Sequence, residues 1–193
     1  MRIIRSGDYR RMPWKNGGGE TVEIAVSPAG ASLDAFDWRV SLAHVAVSGP
    51  FSRFPGVDRT LAVLGGRGIR LSVAGRAAVS LGPYTPPFGF SGDDPADSQL
   101  IDGATDDLNV MTRRASHRHR LTRLATAAPA TLTRRGDLLL VVAHGAAATA
   151  STDVEEHVLA AGDTVLSDRV DAPRLEIAPA GAAQLYVIDL WRV

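Results

Sequence analysis

Cysteine is absent from this 193-residue chain, and so are several other signals of function. Without cysteine there is no disulfide framework, no thiolate metal site and no cysteine nucleophile. No stretch approaches the roughly 18 consecutive apolar residues that span a bilayer, and no apolar run precedes the first charges. We therefore expect a cytoplasmic protein that is neither secreted nor bound to a membrane.

Net charge is absent as well, because 21 basic side chains balance 21 acidic ones. A neutral chain has no overall field that would attract nucleic acid or an anionic membrane. Two short basic pairs, Arg113-Arg114 and Arg134-Arg135, have no aromatic residues among them and are typical of solvated turns. The composition therefore favours a small-molecule partner and no nucleic acid.

Sequence signatures of common catalytic and metal sites are also missing. There is no Gly-x-Ser-x-Gly elbow. The only lysine, Lys15, precedes a glycine run, whereas a phosphate loop requires it after the glycines. His117 with His119, and Glu155 with His157, have the spacing of two metal ligands on one strand face, but each pair lacks a recognisable third ligand. We predict no metal, no cofactor and no catalytic residue.

Short runs rich in Val, Leu and Thr recur between Gly, Pro and Asp residues, which is typical of an all-β protein. Two segments, beginning at LAVLGGRG and at LLLVVAHG, each follow a plan of strand, glycine turn, strand and return. This similarity predicts two tandem small β-barrels, or jelly rolls, packed together. The first covers residues 1–114 and carries the pocket, the second covers residues 115–193, and the seam falls near residues 115–128.

Aromatic residues of the first half flank a Gly/Pro/Asp-rich loop at residues 82–98, which we expect over one barrel mouth. Phe51, Phe54, Phe88 and Phe90 are predicted to wall a small-molecule pocket, because such pockets are mostly apolar. Each of them is also compatible with a place in the core, where phenylalanine is common. The loop and the aromatic residues together favour a pocket in the first barrel.

Arg59 is unusual for its place in the segment GPFSRFPGVDRTLAVLGGRG. A metal-binding cupin barrel carries two histidines and a glutamate before the glycine turn, and this segment has neither residue type. The glutamate position falls on Arg59 or, two residues out of register, on Leu61. An arginine inside an apolar barrel is unfavourable unless an anion such as a carboxylate accepts its planar fork. An internal salt bridge with an aspartate, or an outward side chain, explains the sequence equally well.

The segment PWKNGGGET places an aromatic residue, a cation, an amide and three glycines just before a strand. Glycine permits left-handed backbone and lets a ligand approach bare amides. The alternative is a tight turn into that strand, with no ligand involved.

Taken together and in this order, PWKNGGGET, FDWRVSLAHV, GPFSRFPGVDRTLAVL, FGFSGDDP and DDLNVMTRR resemble the HutD/Ves family. The resemblance is strongest from Trp14 to Arg114, and the rest of the chain shares a more general cupin pattern. It implies a compact, all-β double cupin with no catalytic activity to carry over. The residues that match the family's pocket motifs are Trp14, Lys15, Asn16, Arg59, Phe90, Asp93, Asn109 and Met111.

The same resemblance implies a function. HutD proteins accompany histidine-utilisation enzymes and are thought to restrain histidine catabolism by binding a pathway intermediate, whereas Ves is a stress-associated protein. We therefore expect a metal-free bicupin that binds a small carboxylate such as urocanate or N-formylglutamate and regulates or limits histidine utilisation. A metal-independent isomerase or epimerase, with His44 or Asp93 as its base, and a stress-associated interaction protein are the alternatives. A homodimer is compatible with the sequence.

Overall fold

The computed structural model describes residues 1–14 and 17–193. Within these residues the regular structure is strand throughout, except for one 3-10 turn, η1 (Ser6–Asp8), so the prediction of an all-β protein is confirmed. None of the helical structure in the described residues has the length and hydrophobicity of a membrane span.

Strands follow one another along the whole chain. In the first half they are β1 (Arg2–Ile4), β2 (Arg10–Pro13), β3 (Gly19–Ser27), β4 (Trp38–Val45), β5 (Gly49–Pro50), β6 (Val57–Gly65), β7 (Ile69–Val73), β8 (Val79–Leu81), β9 (Phe88–Ser91), β10 (Ala96–Leu100) and β11 (Thr105–Arg113). In the second half they are β12 (His117–Thr126), β13 (Ala130–Thr133), β14 (Leu138–His144), β15 (Ala148–Ser151), β16 (Glu156–Leu159), β17 (Thr164–Asp168), β18 (Arg174–Pro179) and β19 (Ala183–Arg192).

Arg10–Arg118, with Val193, form a compact unit that we call the N-terminal unit. It contains a six-stranded sheet in the order β2-β3-β4-β11-β6-β9 and a four-stranded sheet in the order β5-β10-β7-β8. Apolar residues alternate along the strands, and those on one face of each sheet form a shared core. This core includes Leu61 and Val63 of β6 and Ile69 and Leu71 of β7.

Met1–Tyr9 and His119–Arg192 form the second compact unit, the C-terminal unit. It repeats the plan of two sheets, one ordered β1-β17-β14-β19-β12 and the other β13-β18-β15-β16. Its core takes Leu139 and Val141 from β14 and Leu175 and Ile177 from β18. Each unit thus forms a two-sheet β-structure around its own core.

The first nine residues differ from the sequence expectation, which assigned residues 1–114 to the first barrel. Strand β1 pairs antiparallel with β17, so that Ile3 lies opposite Val165. The hydroxyl of Tyr9 donates to the Gly162 carbonyl at 2.6 Å, and the Arg5 guanidinium contacts Asp163 at 2.8 Å. These residues therefore belong to the C-terminal unit. The sequence could not indicate this, because three residues carry no local signal for a partner more than 150 positions away.

Candidate functional site

The N-terminal unit contains a cavity of about 630 Å³ on the face of the six-stranded sheet that also carries Leu61 and Val63. Strands β2, β3, β4, β5, β6 and β11 contribute side chains to its walls, and so does the segment after β5. The lining residues are Met12, Pro13, Trp14, Thr21, Leu33, Arg39, Ser41, Ala43, Val45, Pro50, Phe51, Ser52, Phe54, Arg59, Asp107, Asn109 and Met111.

Strand alternation explains why polar residues meet there. Asp107, Asn109 and Met111 are alternate residues of β11, so their side chains share one face of the sheet. Met111 lies opposite Arg59 of β6 on one side and Arg39 of β4 on the other. The antiparallel register thus brings two arginines, a carboxylate and an amide from three central strands to one cavity.

Arg59 is the most deeply enclosed cation of the cavity, at 4% exposure. Its Nη1 donates to the Ser52 carbonyl at 3.2 Å, while its Nε has no hydrogen-bond partner in the described part of the chain. The guanidinium carbon lies 4.9, 5.5 and 5.1 Å from the ring centroids of Phe51, Phe54 and Phe90. Aromatic faces stabilise a buried cation in part and leave its donors free for an anion.

Asp107 is fully enclosed on the same face, and neither of its carboxylate oxygens has a hydrogen-bond partner among the described residues. Burial raises the pKa of Asp107 to about 7, opposed by the Arg59 charge and assisted by that of Asp106. Burial also lowers the pKa of Arg59 to about 10, against the effect of Asp107. In residues 1–14 and 17–193 no Arg59 nitrogen comes within 4 Å of a carboxylate oxygen, so the predicted alternative of an internal salt bridge is not formed there.

The other arginine of the cavity is already neutralised. Nε of Arg39 donates to Oε2 of Glu23 at 2.7 Å, and both side chains are almost completely buried. Asn109, between Asp107 and Met111 on β11, has a buried Oδ1 without a partner in the described residues. Arg59 is therefore a lining cation with a buried donor that has no partner in the described residues, and Asp107 and Asn109 supply buried acceptors without partners there.

The glycine-rich segment lies between β2 and β3, which pair antiparallel with Pro13 opposite Glu20. Trp14 lines the cavity, and its indole Nε1 donates to Oγ1 of Thr21 at 2.8 Å. Gly19 must be glycine, because a Cβ there would lie 2.2 Å from the backbone oxygen of His44. Lys15 and Asn16, which the sequence placed in the pocket, lie outside the described residues.

Two of the predicted aromatic walls have other positions. Phe51 and Phe54 line the cavity, but Phe88 and Phe90 are not among its described lining residues. Phe90 is buried in the core, where its ring packs against the guanidinium of Arg59. Phe88 lies under the guanidinium of Arg76, 4.4 Å from its carbon.

The structure does not bring Asp93 into the cavity. Its Oδ1 accepts a hydrogen bond from the Gly56 amide at 2.7 Å, and its Oδ2 contacts Ser91 and Arg114. The Gly56 N–H, assisted by Arg114 and Ser91, lowers the pKa of Asp93 to about 2. Asp93 thus fastens the turn before β6 and stays ionised. His44, the other base considered, is half exposed and pairs with Asp106 through Nδ1 at 2.7 Å.

Sequence reasoning missed Asp107, Arg39 and Ser41. The signal for Asp107 was present in DDLNVMTRR, because it alternates with Asn109 and Met111, which the resemblance had selected. No local pattern marks Arg39 or Ser41, because only the pairing of β4 with β11 brings them to the cavity.

The arrangement of possible metal ligands in the described residues bears on the prediction of no metal. Within them no three His, Cys, Asp or Glu side chains lie close enough together to hold a metal ion. That the purified protein carries no stoichiometric transition metal stays a prediction, which elemental analysis after dialysis tests. One zinc, iron or manganese per chain would contradict it.

Known proteins resemble this chain over most of its length. The HutD family model matches residues 6–185. A 21.2 kDa protein from the hutC 3′ region of Pseudomonas putida is 43% identical over 121 residues, which are 63% of each chain, slightly less than two thirds of that relative. Protein Ves of Escherichia fergusonii is 38% identical over 139 residues, covering 70% of this chain and 71% of Ves.

Solved structures agree in fold. A conserved protein of unknown function from Pseudomonas aeruginosa has a TM-score of 0.88 at 34% identity, and HutD from Pseudomonas fluorescens has 0.83 at 30%. Each match covers 100% of this chain and 98% of the other. A variant of the cupin oxalate decarboxylase from Bacillus subtilis has a TM-score of 0.66 at 8% identity. The match covers 100% of this chain and 78% of that one, and it supports the fold alone. The double-cupin prediction is confirmed, and the chain belongs to the HutD family.

Proposed function

We propose that this protein is a cytoplasmic ligand-binding regulator that holds a small carboxylate in the cavity of its N-terminal unit and thereby limits histidine utilisation. The observation that carries the proposal is Arg59, a buried cation with an unpaired Nε and no carboxylate within 4 Å among the described residues. Buried charges in proteins are normally paired, so an enclosed arginine without an anion favours an anion from solution.

The composition of the cavity supports a small ligand. Its volume of about 630 Å³ lies in the range of small-molecule pockets. Phe51, Phe54 and Met111 supply apolar wall beside Arg59. One ion pair with limited apolar contact corresponds to micromolar to millimolar affinity, roughly −4 to −8 kcal/mol.

Family membership supports the link to histidine utilisation. One relative is named for its place beside hutC, and one structural neighbour is named HutD. Urocanate and N-formylglutamate are therefore the first candidates, since each has a carboxylate group that can accept hydrogen bonds from the planar fork of Arg59.

A thermal-shift screen over carboxylates tests the proposal, because a ligand that binds only the folded state raises the melting temperature by mass action. The panel holds urocanate, N-formylglutamate and their amides, which lack the charge. Arg59→Met should remove every carboxylate-dependent shift. Arg76→Met, which removes an exposed arginine stacked on Phe88, is the matched control and should retain them. Equal shifts for acids and amides would contradict the proposal.

A metal-independent isomerase or epimerase is the second candidate, and one observation favours it. Asp107 is a buried carboxylate in the cavity with a pKa of about 7, which suits a general base near neutral pH. Solvent deuterium incorporated into a bound carboxylate, and lost in Asp107→Asn, would identify this activity by NMR. Binding of the carboxylate without deuterium exchange would favour the ligand-binding regulator over the enzyme.

A further inference from the structure

We propose that Asp107 and Asn109 form an acceptor site that selects, among carboxylates, those that also carry an N–H donor. The inference rests on the proposed function, which supplies the carboxylate anchor at Arg59. It assigns a second binding site within the cavity and a ligand class defined by two groups.

Unpaired polar atoms are concentrated at this place. The described residues contain five buried side-chain nitrogen or oxygen atoms without a hydrogen-bond partner, and four of them belong to Arg59, Asp107 and Asn109. Buried polar groups in folded proteins are satisfied in the large majority, because an unpaired one costs about 1–3 kcal/mol. Four such atoms lining one cavity indicate a ligand that completes them.

The chemistry of the four atoms defines what is missing. Nε of Arg59 is a donor and requires an acceptor, which a carboxylate provides. Both oxygens of ionised Asp107 and Oδ1 of Asn109 are acceptors and require donors. A ligand with only carboxylates would satisfy Arg59 and leave three acceptors facing further acceptors.

Strand register separates the two sites. Arg59 lies opposite Met111 of β11. On the same face of β11, Asn109 is two residues and Asp107 four residues away from Met111 along the strand. Alternate residues of a strand are ~7 Å apart, so the Cα levels differ by roughly 7 and 14 Å. Arg59 and Asp107 affect each other's pKa, so their charged groups lie within electrostatic range across the cavity, and the proposed ligand is an elongated one that reaches both sites.

The surrounding charges favour an N–H group over a second carboxylate. Arg39 on β4 is held by Glu23 of β3, and Asp106 faces the other side of β11 beside His44. Arg59 is thus the described cation that offsets the charge of Asp107. Once a ligand carboxylate occupies Arg59, a second carboxylate near Asp107 would meet the negative charge of Asp107, with no further described cation to offset it among the charges that affect the pKa of Asp107.

A matched pair of probes tests the inference by isothermal titration calorimetry on the full chain. The probes are 3-(1H-pyrrol-2-yl)acrylate and 3-(2-furyl)acrylate, which differ only in a ring N–H replaced by oxygen. Wild-type protein should bind the pyrrole about tenfold or more tighter, the effect of one hydrogen bond to a charged group. In Asp107→Leu the two affinities should agree within about threefold, whereas Arg59→Met should weaken both probes.

The outcomes separate this inference from the proposed function. Equal binding of both probes by the wild type, with both weakened by Arg59→Met, would overturn the acceptor site and leave the carboxylate anchor intact. Undiminished binding of both probes by Arg59→Met would overturn the anchor itself.

A second measurement needs no substitution and therefore does not depend on how Asp107→Leu folds. Neither probe titrates between pH 6 and 8.5, whereas Asp107 does, with a pKa of about 7. Ionised Asp107 accepts an N–H more strongly and repels the furan oxygen, so the preference for the pyrrole should grow as the pH rises. A preference that shrinks with rising pH would show Asp107 acting as a protonated donor and would overturn the proposal.

Discussion

At the scale of single residues, the cavity combines a cation and a carboxylate that are both buried and both incompletely paired. Arg59 is surrounded by the faces of Phe51, Phe54 and Phe90, and Asp107 has no hydrogen-bond partner in the described chain. Their mutual charge moderates the cost of burial without a direct contact. Such a pair is less stable than its hydrophobic equivalent, which is typical of a site kept for a ligand.

Asp107 should make folding stability depend on pH. Its pKa is raised to about 7 from 3.8, so the folded state binds a proton between these values that the unfolded state has released. Stability should therefore fall as the pH rises from about 4 to 7, by at most ~4 kcal/mol, and be level above that. Asp107→Asn should lose this slope. Urea denaturation at pH 4.5, 6 and 8 measures it, and parallel profiles for the two proteins would contradict the assignment.

At the scale of elements, the hairpin of β2 and β3 positions one wall of the cavity. A Cβ on Gly19 would lie 2.2 Å from the backbone oxygen of His44 and 3.0 Å from the nearest ring atom of Trp14. Because the nearest atom is backbone, the strand must move to admit any side chain. The conformation of the hairpin and the position of Trp14 thus depend on one glycine.

Gly19→Ala should destabilise the N-terminal unit by about 1–3 kcal/mol and displace Trp14 from the cavity wall. Denaturation followed by tryptophan fluorescence measures both effects. Gly49→Ala is the control, since a Cβ at Gly49 meets no atom within 4 Å. Equal stability of the two variants would show that the chain accommodates a Cβ at Gly19.

The elements also show how far sequence reasoning reaches. The family resemblance selected Arg59, Asn109 and Met111, and alternation along β6 and β11 explains why their side chains share one face of the sheet, because side-chain direction in a strand is local information. The place of Asp93 could not be predicted in this way, because its contact with Gly56 joins segments 37 residues apart. Local pattern therefore identifies the face that a residue occupies, and long-range pairing decides which neighbours it meets.

At the scale of the whole molecule, the chain forms two units of two sheets each, and the first nine residues belong to the second. Strand β1 is an edge strand of a five-stranded sheet and pairs with β17. Tyr9 adds a buried hydroxyl that contacts both Gly162 and Thr164. A segment far from the C-terminal half in sequence is thus part of its structure.

Removing residues 1–9 should destabilise the C-terminal unit selectively, because the backbone groups of β17 lose their partners on one side. Amide hydrogen exchange should show lost protection at Thr164 and Leu166, the alternate residues of β17 whose backbone groups face β1, and unchanged protection at Leu108 and Val110 of β11. Equal loss of protection in both units would contradict the assignment of this segment.

Carboxylate binding by Arg59 is tested most directly by one variant, Arg59→Met, with a binding isotherm for urocanate and a denaturation curve measured together. Arg59→Met should weaken binding about 100-fold or more, while the free energy of unfolding changes by less than about 1 kcal/mol, because Asp107 can take up a proton once the cation is gone. Arg76→Met should alter neither measurement. A variant that loses about 3–5 kcal/mol, as a broken buried ion pair does, and still binds urocanate as the wild type does would contradict the account.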